Sequence, residues 1–479
     1  MIPLSLREVA SAVGGRLHGA DPAAEVTAHA TLDSRAVPPG GLFVAVPGEH
    51  VDGHDYAAAA VAAGAVAVLA QRDVDAPAVA VTDTTLALGR LAAAVRSRLS
   101  GCTVIGLTGS QGKTGTKDLL AHLLAARGPV VAPTGSHNNE LGVPLTVLRA
   151  DEETAFLVSE MGARGLGHIR YLAEIAGPRV GLVLNVGVAH IGEFGSRAGI
   201  ATAKAELVES LPADGLAVLN ADDPLVAAMA ARTSARVVTF GSSERADVRV
   251  VSPELDTDGR PVFRLATAGG SAPVAMQLTG AHQALNAAAA AAVAVELDVP
   301  LADVADLLAT ARPASRWRME RHERGDGVVV INDAYNANPD SMRAALETLA
   351  VVGRGRGART VAVLGEMLEL GDTGPGEHET LGRLVVDLGV DRLVVVGEGA
   401  RPVHAAASAA AGWPGSSVAV ADVEAAVEYL TDHLRPDDVV LVKASRATGL
   451  ERVAAALLAG DGDTAAADAR TSSGGAPPS

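Results

Sequence analysis

CTVIGLTGSQGKTGTKDLLAHLL, residues 102–124, reads as an apolar strand running into a glycine-rich turn, then a helix with apolar positions at Leu119, Leu120, Leu123 and Leu124. Strand, tight turn and helix in that order is the opening unit of a parallel sheet wrapped by helices. Gly109 and Gly112 let backbone N–H groups approach an anion closely, Lys113 adds a positive charge, and the helix N-terminus adds a partial one. The Thr114 hydroxyl can ligate Mg²⁺, the ion that accompanies a nucleotide triphosphate. Thr108, Gly109, Ser110, Gln111, Gly112, Lys113 and Thr114 are therefore the expected phosphate loop, and ATP with Mg²⁺ the expected cofactor pair. The loop is a shorter variant of G-x-x-x-x-G-K-[ST], because Leu107 stands where the first glycine of that pattern falls.

The same rhythm extends in both directions. Upstream, GLFVAV (41–46), AVAVLA (65–70) and AVAVTD (78–83) alternate with alanine-rich helical stretches, and Ser100-Gly101 punctuates the end of that block. Downstream, AFLVSE (155–160), RVGLVLNVG (179–187), GLAVLNADD (215–223) and ARVVTFG (235–241) continue the sheet, and the run from Ala281 to Val299 reads as a buried helix. Arg312 and Pro313 begin a turn-like connection, after which GVVVIND (327–333), TVAVLGE (360–366), DRLVVVGEG (391–399) and DVVLVKAS (438–445) predict a second parallel sheet. The expected fold is α/β with three domains: 1–98 small, 99–314 a central P-loop parallel-sheet ATPase domain, and 315–460 a Rossmann-like α/β domain. The tail 461–479 is expected to be disordered.

Composition narrows the class. A chain of 479 residues is too long for one ordinary core, and 48% hydrophobic with 20% charged residues is a globular balance. A formal net charge of −17 without a basic run argues against a nucleic-acid partner. The start lacks a basic segment followed by an apolar one, and the apolar stretch from Ala57 to Ala70 is too short to span a bilayer, so a cytoplasmic protein without membrane insertion is expected. The single cysteine, Cys102, has no partner for a disulfide and reads as a buried strand residue.

Five phrases in order, TGSQGKT (108–114), SEMGA (159–163), NVGVAH (185–190), AKAEL (203–207) and NDAYNANP (332–339), together resemble the Mur ligase family across nearly the whole chain. SHNNELGVPLTVL (136–148), HIGEFGS (190–196), LGEMLELG (364–371) and VKASRA (442–447) further resemble the member of that family that adds D-alanyl-D-alanine to UDP-N-acetylmuramoyl-tripeptide. The resemblance implies three domains, for the UDP-sugar, ATP and the incoming amino component. It also implies a route in which the γ-phosphoryl group of ATP passes to a carboxylate and an amine attacks the resulting acyl phosphate.

The resemblance further assigns residues. Lys113, Glu160, His190, Lys204 and Arg318 are expected at the chemistry, with Thr114, Glu160, His190 and a carbamylated Lys204 on Mg²⁺. Asn286, Asp333, Asn336 and Asn338 are expected near the nucleotide, Asp333 at the ribose. Asp33, Ser34 and Arg35 are expected at the uridine diphosphate, Thr134, Asn138 and Asn139 at the muramoyl peptide, and Lys443, Ser445 and Arg446 at the substrate side of the C-terminal domain. Read without the family, Lys204 is a solvated helix side chain, Glu160 a helix N-terminal acid, Asn286 a buried packing residue, and the 333–338 stretch an Asn-Pro turn. At Trp317-Arg318 the chain departs from the Gly-Arg that the family often shows.

Three other readings stay open on sequence alone: a Mur or folylpolyglutamate-type ligase for another amino component, a nucleotide-binding protein that has lost catalysis, and a P-loop kinase or GTPase. Glu160, His190 and Lys204 are all present, and no guanine-reading N-K-x-D phrase occurs. The third residue of the acceptor peptide, diaminopimelate or lysine, is not specified, and a monomer suits the design.

Overall fold

A computed structural model describes residues 1–48, 51–187 and 194–459. His190 and the stretch from Gly460 onward lie outside the described residues. The rest falls into two compact units, one formed by Met1–Val186, Ala198–Arg249 and Ala288–Val304, the other by Val250–Ala287 and 305–459 with the neighbouring residues of 187–197.

The first unit holds a two-stranded antiparallel pair, Leu4–Ser5 with Glu25–Val26, and strands of two bigger sheets. The smaller of those two has the order Arg16–His18, Ala78–Ala80, Ala67–Ala70, Leu42–Val44, Ala30–Thr31, and is parallel except at Arg16–His18. In the larger, Thr103–Thr108 lies between Phe156–Glu160 and Val180–Val183; Val130–Val131 continues one side, and Leu216–Asn220 and Arg236–Gly241 the other, all parallel. The chain starts in mid-sheet, runs to one edge, returns, and crosses to the far side. That reversal opens a crevice at the carboxyl ends of the strands beside Thr108, where ligands bind in sheets of this kind. Continuous apolar strands such as Phe156–Glu160, buried throughout, are what a sheet covered on both faces requires.

The predicted alanine-rich helix spans His282–Glu296, and Ala287 through Ala294 are wholly buried. Apolar residues all round suit a helix enclosed on every side.

In the second unit Glu320–Glu323, Val329–Asn332, Val439–Lys443, Thr360–Leu364, Arg392–Val396 and Ser416–Val420 form one sheet, parallel apart from its first strand. Alternate residues of the Val439–Lys443 strand enter opposite cores, Val439 and Leu441 on one face and Val440 and Val442 on the other, as the two-residue period of a strand demands. The last strand in chain order sits between the first and the second of the parallel set. Its end, Lys443, thereby comes beside Asp333.

Cys102 differs from expectation. It immediately precedes the strand Thr103–Thr108 and is half-buried; that burial pushes its thiol up to about 11, too high for a nucleophile at neutral pH. Among the described residues no helix is long and apolar enough to cross a membrane.

The helices Gly374–Asp387 and Arg401–Ser408 meet at Gly382, where a β-carbon would stand 2.4 Å from the Val403 carbonyl oxygen. Gly382→Ala should therefore cost about 2 kcal/mol, since neither backbone can yield cheaply. Thermal unfolding of the variant checks this, and an unchanged midpoint would contradict the close approach.

Candidate active site at the carboxyl edge of the central sheet

Gly112, with φ +81°, ends the phosphate loop and caps the helix Lys113–Leu124. A side chain would resist that left-handed backbone, which is why glycine stands there. Gly109 is needed for a different reason: a β-carbon there would meet Leu184 at 2.8 Å. Lys113 folds back over the loop, its ammonium donating to the Gly109 carbonyl at 2.7 Å.

Glu160 ends its strand beside Leu107 and is 1% exposed. The buried Thr114 hydroxyl donates to Glu160 Oε2 at 3.1 Å and lies 2.8 Å from Ser136 Oγ; Asn138 Nδ2 donates to Glu160 Oε1 at 2.8 Å. Two side chains thus bond the one carboxylate, and Ser136 joins the cluster through Thr114. Asn138, expected at the peptide substrate, is tied to this cluster, while Asn139 caps the next turn by accepting from Gly142 N at 2.9 Å. Thr134 is exposed on the same loop.

Three residues not singled out from the sequence support this arrangement. Asn185 clamps the loop: its Oδ1 accepts from Ser110 N at 2.9 Å and Gln111 N at 3.0 Å, and its Nδ2 donates to the Gln111 carbonyl at 3.2 Å. Lys117, 2% exposed, donates to the Pro133 carbonyl at 2.7 Å and ties the phosphate-loop helix to the 133–139 loop. Ser136 completes the set. All three lie inside or beside the recognised phrases, Lys117 one helical turn beyond Lys113, but nothing in their residue types announces the contacts.

Lys204 is buried in the helix Arg197–Glu209, not solvated as the bland reading had it. Burial, and secondarily the charge of Lys113, pulls its ammonium well below the ordinary lysine range. Two residues on, buried Glu206 accepts from Gly167 N at 2.6 Å and Arg170 N at 3.0 Å, fixing the loop that follows Glu160. Thr114 and Glu160 offer oxygen donors of the kind a hard cation such as Mg²⁺ takes.

The small sheet of the first unit carries the expected uridine diphosphate turn. Arg35 donates to Asp33 at 2.9 and 2.8 Å, and this pairing lowers the Asp33 carboxyl to about 2. Ser34 sits between them, and the turn is open to solvent.

In the second unit, Lys443 is 2% exposed and lies 2.5 Å from Asp333 Oδ2, with a further bond of 2.9 Å to the Asn336 carbonyl. Burial lowers the Lys443 ammonium, and Asp333 opposes that. Asp333 Oδ1 also accepts from Met319 N at 3.1 Å. The Asp333 carboxylate is thus held by protein groups on both oxygens, which differs from an acid left open for a ribose. Asn338 likewise turns its side chain to Ser341 N as the cap of the helix Pro339–Arg356, so the turn reading describes its side chain. Asn286 Nδ2 donates to Gln283 Oε1 at 3.1 Å, and His282, one turn earlier, is lowered chiefly by burial. Ser445 Oγ accepts from Leu368 N at 2.9 Å.

Where the chain departs from Gly-Arg, Trp317 and Met319 both take left-handed backbone, with φ of +58° and +52°. For bulky residues that conformation costs on the order of 1–3 kcal/mol. Two ring contacts offset it: Arg446 lies 4.2 Å over the Trp317 ring, and Arg318 lies 4.1 Å over Tyr335.

Asn185→Ala should leave the fold intact and raise KM for ATP about tenfold, the loss expected when backbone donors lose a fixed partner. Steady-state kinetics beside a thermal melt would separate this from a structural loss, and unchanged kinetics would remove Asn185 from the account.

Three family descriptions match the chain: Mur ligase family, catalytic domain, over residues 28–96; Mur ligase middle domain over 107–294; and Mur ligase, glutamate ligase domain, over 317–446. A protein of Mycobacterium tuberculosis named UDP-N-acetylmuramoyl-tripeptide--D-alanyl-D-alanine ligase is 49% identical, with 96% of this chain and 99% of that protein aligned. The protein of the same name from Escherichia coli is 35% identical over 95% of this chain and 99% of its own length. A crystal structure of MurF from Acinetobacter baumannii superposes with TM-score 0.83 at 34% identity, covering 95% and 99% of the two chains. MurF from Thermotoga maritima in complex with ADP superposes with TM-score 0.76 at 31% identity, covering 90% and 97%. Phosphate loop, buried acid and buried lysine therefore stand in a chain that aligns with these ligases over 90% or more of its length, and the chain belongs to the Mur ligase family.

Proposed function

We infer that this chain is an ATP-dependent ligase that joins D-alanyl-D-alanine to the terminal carboxylate of UDP-N-acetylmuramoyl-tripeptide, completing the pentapeptide precursor of peptidoglycan. The convergence of Thr114 and Asn138 on buried Glu160, with Ser136 tied in through Thr114 at the phosphate loop, carries this reading.

A carboxylate does not form an amide at neutral pH without activation. In the reaction its oxygen attacks the γ-phosphorus of ATP, the bond to the β-phosphate oxygen breaks, and ADP leaves an acyl phosphate. The amine of D-alanyl-D-alanine then attacks the acyl carbon, loses a proton, and expels inorganic phosphate. Repulsion among these anions is the main obstacle, and fixed donors and cations that meet the charge in the transition state lower it. The loop amides and Lys113 supply that charge for ATP, and Arg318 is assigned to the γ-phosphate.

Thr114, Glu160, His190 and Lys204 as a carbamate would hold Mg²⁺, whose contribution when bound is to neutralise phosphate charge. Carbamylation needs the neutral amine, which attacks carbon dioxide and loses a proton to leave an anionic oxygen donor. The burial of Lys204 favours that neutral amine.

The remaining assignments complete the proposal. Asp33, Ser34 and Arg35 take the uridine diphosphate, and Thr134, Asn138 and Asn139 the muramoyl peptide. Asn286, Asp333, Asn336 and Asn338 line the nucleotide, the last through the turn it caps and not through its own side chain. Lys443, Ser445 and Arg446 serve the incoming dipeptide. The three modules are assigned to 1–98, 99–314 and 315–460, in a cytoplasmic monomer.

Charge at Lys204 provides the test. Lys204→Ala should lose at least about a hundredfold in kcat, and Lys204→Glu, which restores an anionic oxygen, should keep more activity than the alanine variant. Phosphate release from Mg²⁺-ATP and tripeptide, with D-alanyl-D-alanine, diaminopimelate, L-lysine or no amine, checks both the order of the variants and the amine. A glutamate variant no better than alanine would overturn the carbamate, and turnover with another amine would overturn the dipeptide.

A further inference from the structure

A cavity of about 440 Å³ opens between the start of the helix Thr84–Arg98 and the loop following Glu160. Asp83, Glu140, Arg164, His168 and Tyr171 line it, with Leu86 as an exposed apolar edge. None of these residues has a role in the reading above.

Two connections link the cavity's residues to those assigned to the chemistry. Glu140 follows Asn138, whose amide holds Glu160, by two residues. On the other side, the loop from Gly162 to Gly167 is pinned by Glu206, two residues from Lys204. The side chain of the peptide residue whose own carboxylate is activated leaves the backbone within a few bonds of that carboxylate.

The lining is divided by charge. On the acidic side, Glu140 Oε2 is 3.2 Å from His168 Nε2 but lacks the alignment of a hydrogen bond, so that oxygen keeps acceptor capacity. His168 Nδ1 accepts from Arg164 N at 3.2 Å, which puts the ring proton on Nε2, facing Glu140. Asp83 adds a second carboxylate, one oxygen of which caps the helix through Leu86 N at 2.9 Å. On the basic side, Arg164 is two-thirds exposed and only 3.7 Å from Glu140 at its nearest, a loose pair that a ligand can divide. The Tyr171 hydroxyl is buried with no hydrogen-bond partner, above Gly89, where a β-carbon would stand 2.7 Å from it. A ligand acceptor would satisfy that hydroxyl.

We propose that this cavity reads the side chain of the third peptide residue and that its divided charge selects a zwitterionic side chain, an ammonium with a carboxylate, over a simple ammonium. Glu140 and Asp83 receive the ammonium; Arg164 and the Tyr171 hydroxyl receive the carboxylate. Diaminopimelate carries both groups, and lysine carries only the first. The proposal rests on the ligase reading above.

The test compares UDP-N-acetylmuramoyl-tripeptides ending in diaminopimelate or lysine, with Mg²⁺-ATP and D-alanyl-D-alanine, on the full chain and on the variants Arg164→Gln and Tyr171→Phe. The unaltered protein should favour the diaminopimelate peptide about tenfold in kcat/KM, the worth of one charge-assisted bond. Each variant should lose most of that preference through the diaminopimelate substrate while its lysine kinetics stay within about twofold. Equal use of both peptides by the unaltered protein, or a parallel loss on both in the variants, would overturn the proposal. Turnover of neither peptide would overturn the ligase reading and this proposal together.

Discussion

Burying a carboxylate costs several kcal/mol unless its oxygens are satisfied, and Glu160 is buried at the end of its strand, against Thr114 of the helix that follows the glycine-rich loop. Its solution is local and shared. Thr114 comes from the phosphate-loop helix and Asn138 from the loop that follows it, so satisfying Glu160 also fixes both segments at the end of the central strand. Asn185 clamps the other side of the phosphate loop from the neighbouring strand, and Lys117 ties the helix to the 133–139 loop. One buried acid thereby organises the elements that would hold ATP, metal and peptide.

The second unit shows the same economy with opposite sign. Lys443 is buried at the end of an inner strand, and its charge is met by Asp333 and the Asn336 carbonyl. Truncating either partner of such a pair leaves an uncompensated buried charge, a larger loss than the pair's own contribution. Asp333 also receives Met319 N, so the ion pair reaches back to hold the strained Trp317-Arg318-Met319 segment. Side chains expected to touch ligands are, in this unit, first the braces of the loops that carry them.

Much of this was legible in the sequence, and the limits have physical causes. The strand, glycine turn and helix around residues 102–124 and the apolar runs of both parallel sheets are local patterns, and they reappear as strands where they were expected. Lys204 was visible as a lysine in a helix but not as a buried one, because burial is decided by what packs around the helix and the residue's own neighbours in sequence are unremarkable for an exposed face. Asn338 was legible as part of a turn; that its carboxamide serves the helix cap could be read from Pro339 and Ser341 beside it. Asn185 and Ser136 reach partners 74 and 22 residues away, and no short-range pattern encodes such contacts. The charge division of the 440 Å³ cavity is likewise assembled from residues far apart in the chain.

Activation of the peptide's own carboxylate by ATP is the central claim, and following oxygen tests it most directly. With a heavy-oxygen label in the terminal carboxylate of the tripeptide, turnover with D-alanyl-D-alanine should deliver one labelled oxygen into each inorganic phosphate released, because the bridging oxygen of the acyl phosphate leaves with phosphorus. Unlabelled phosphate accompanied by product would contradict the account.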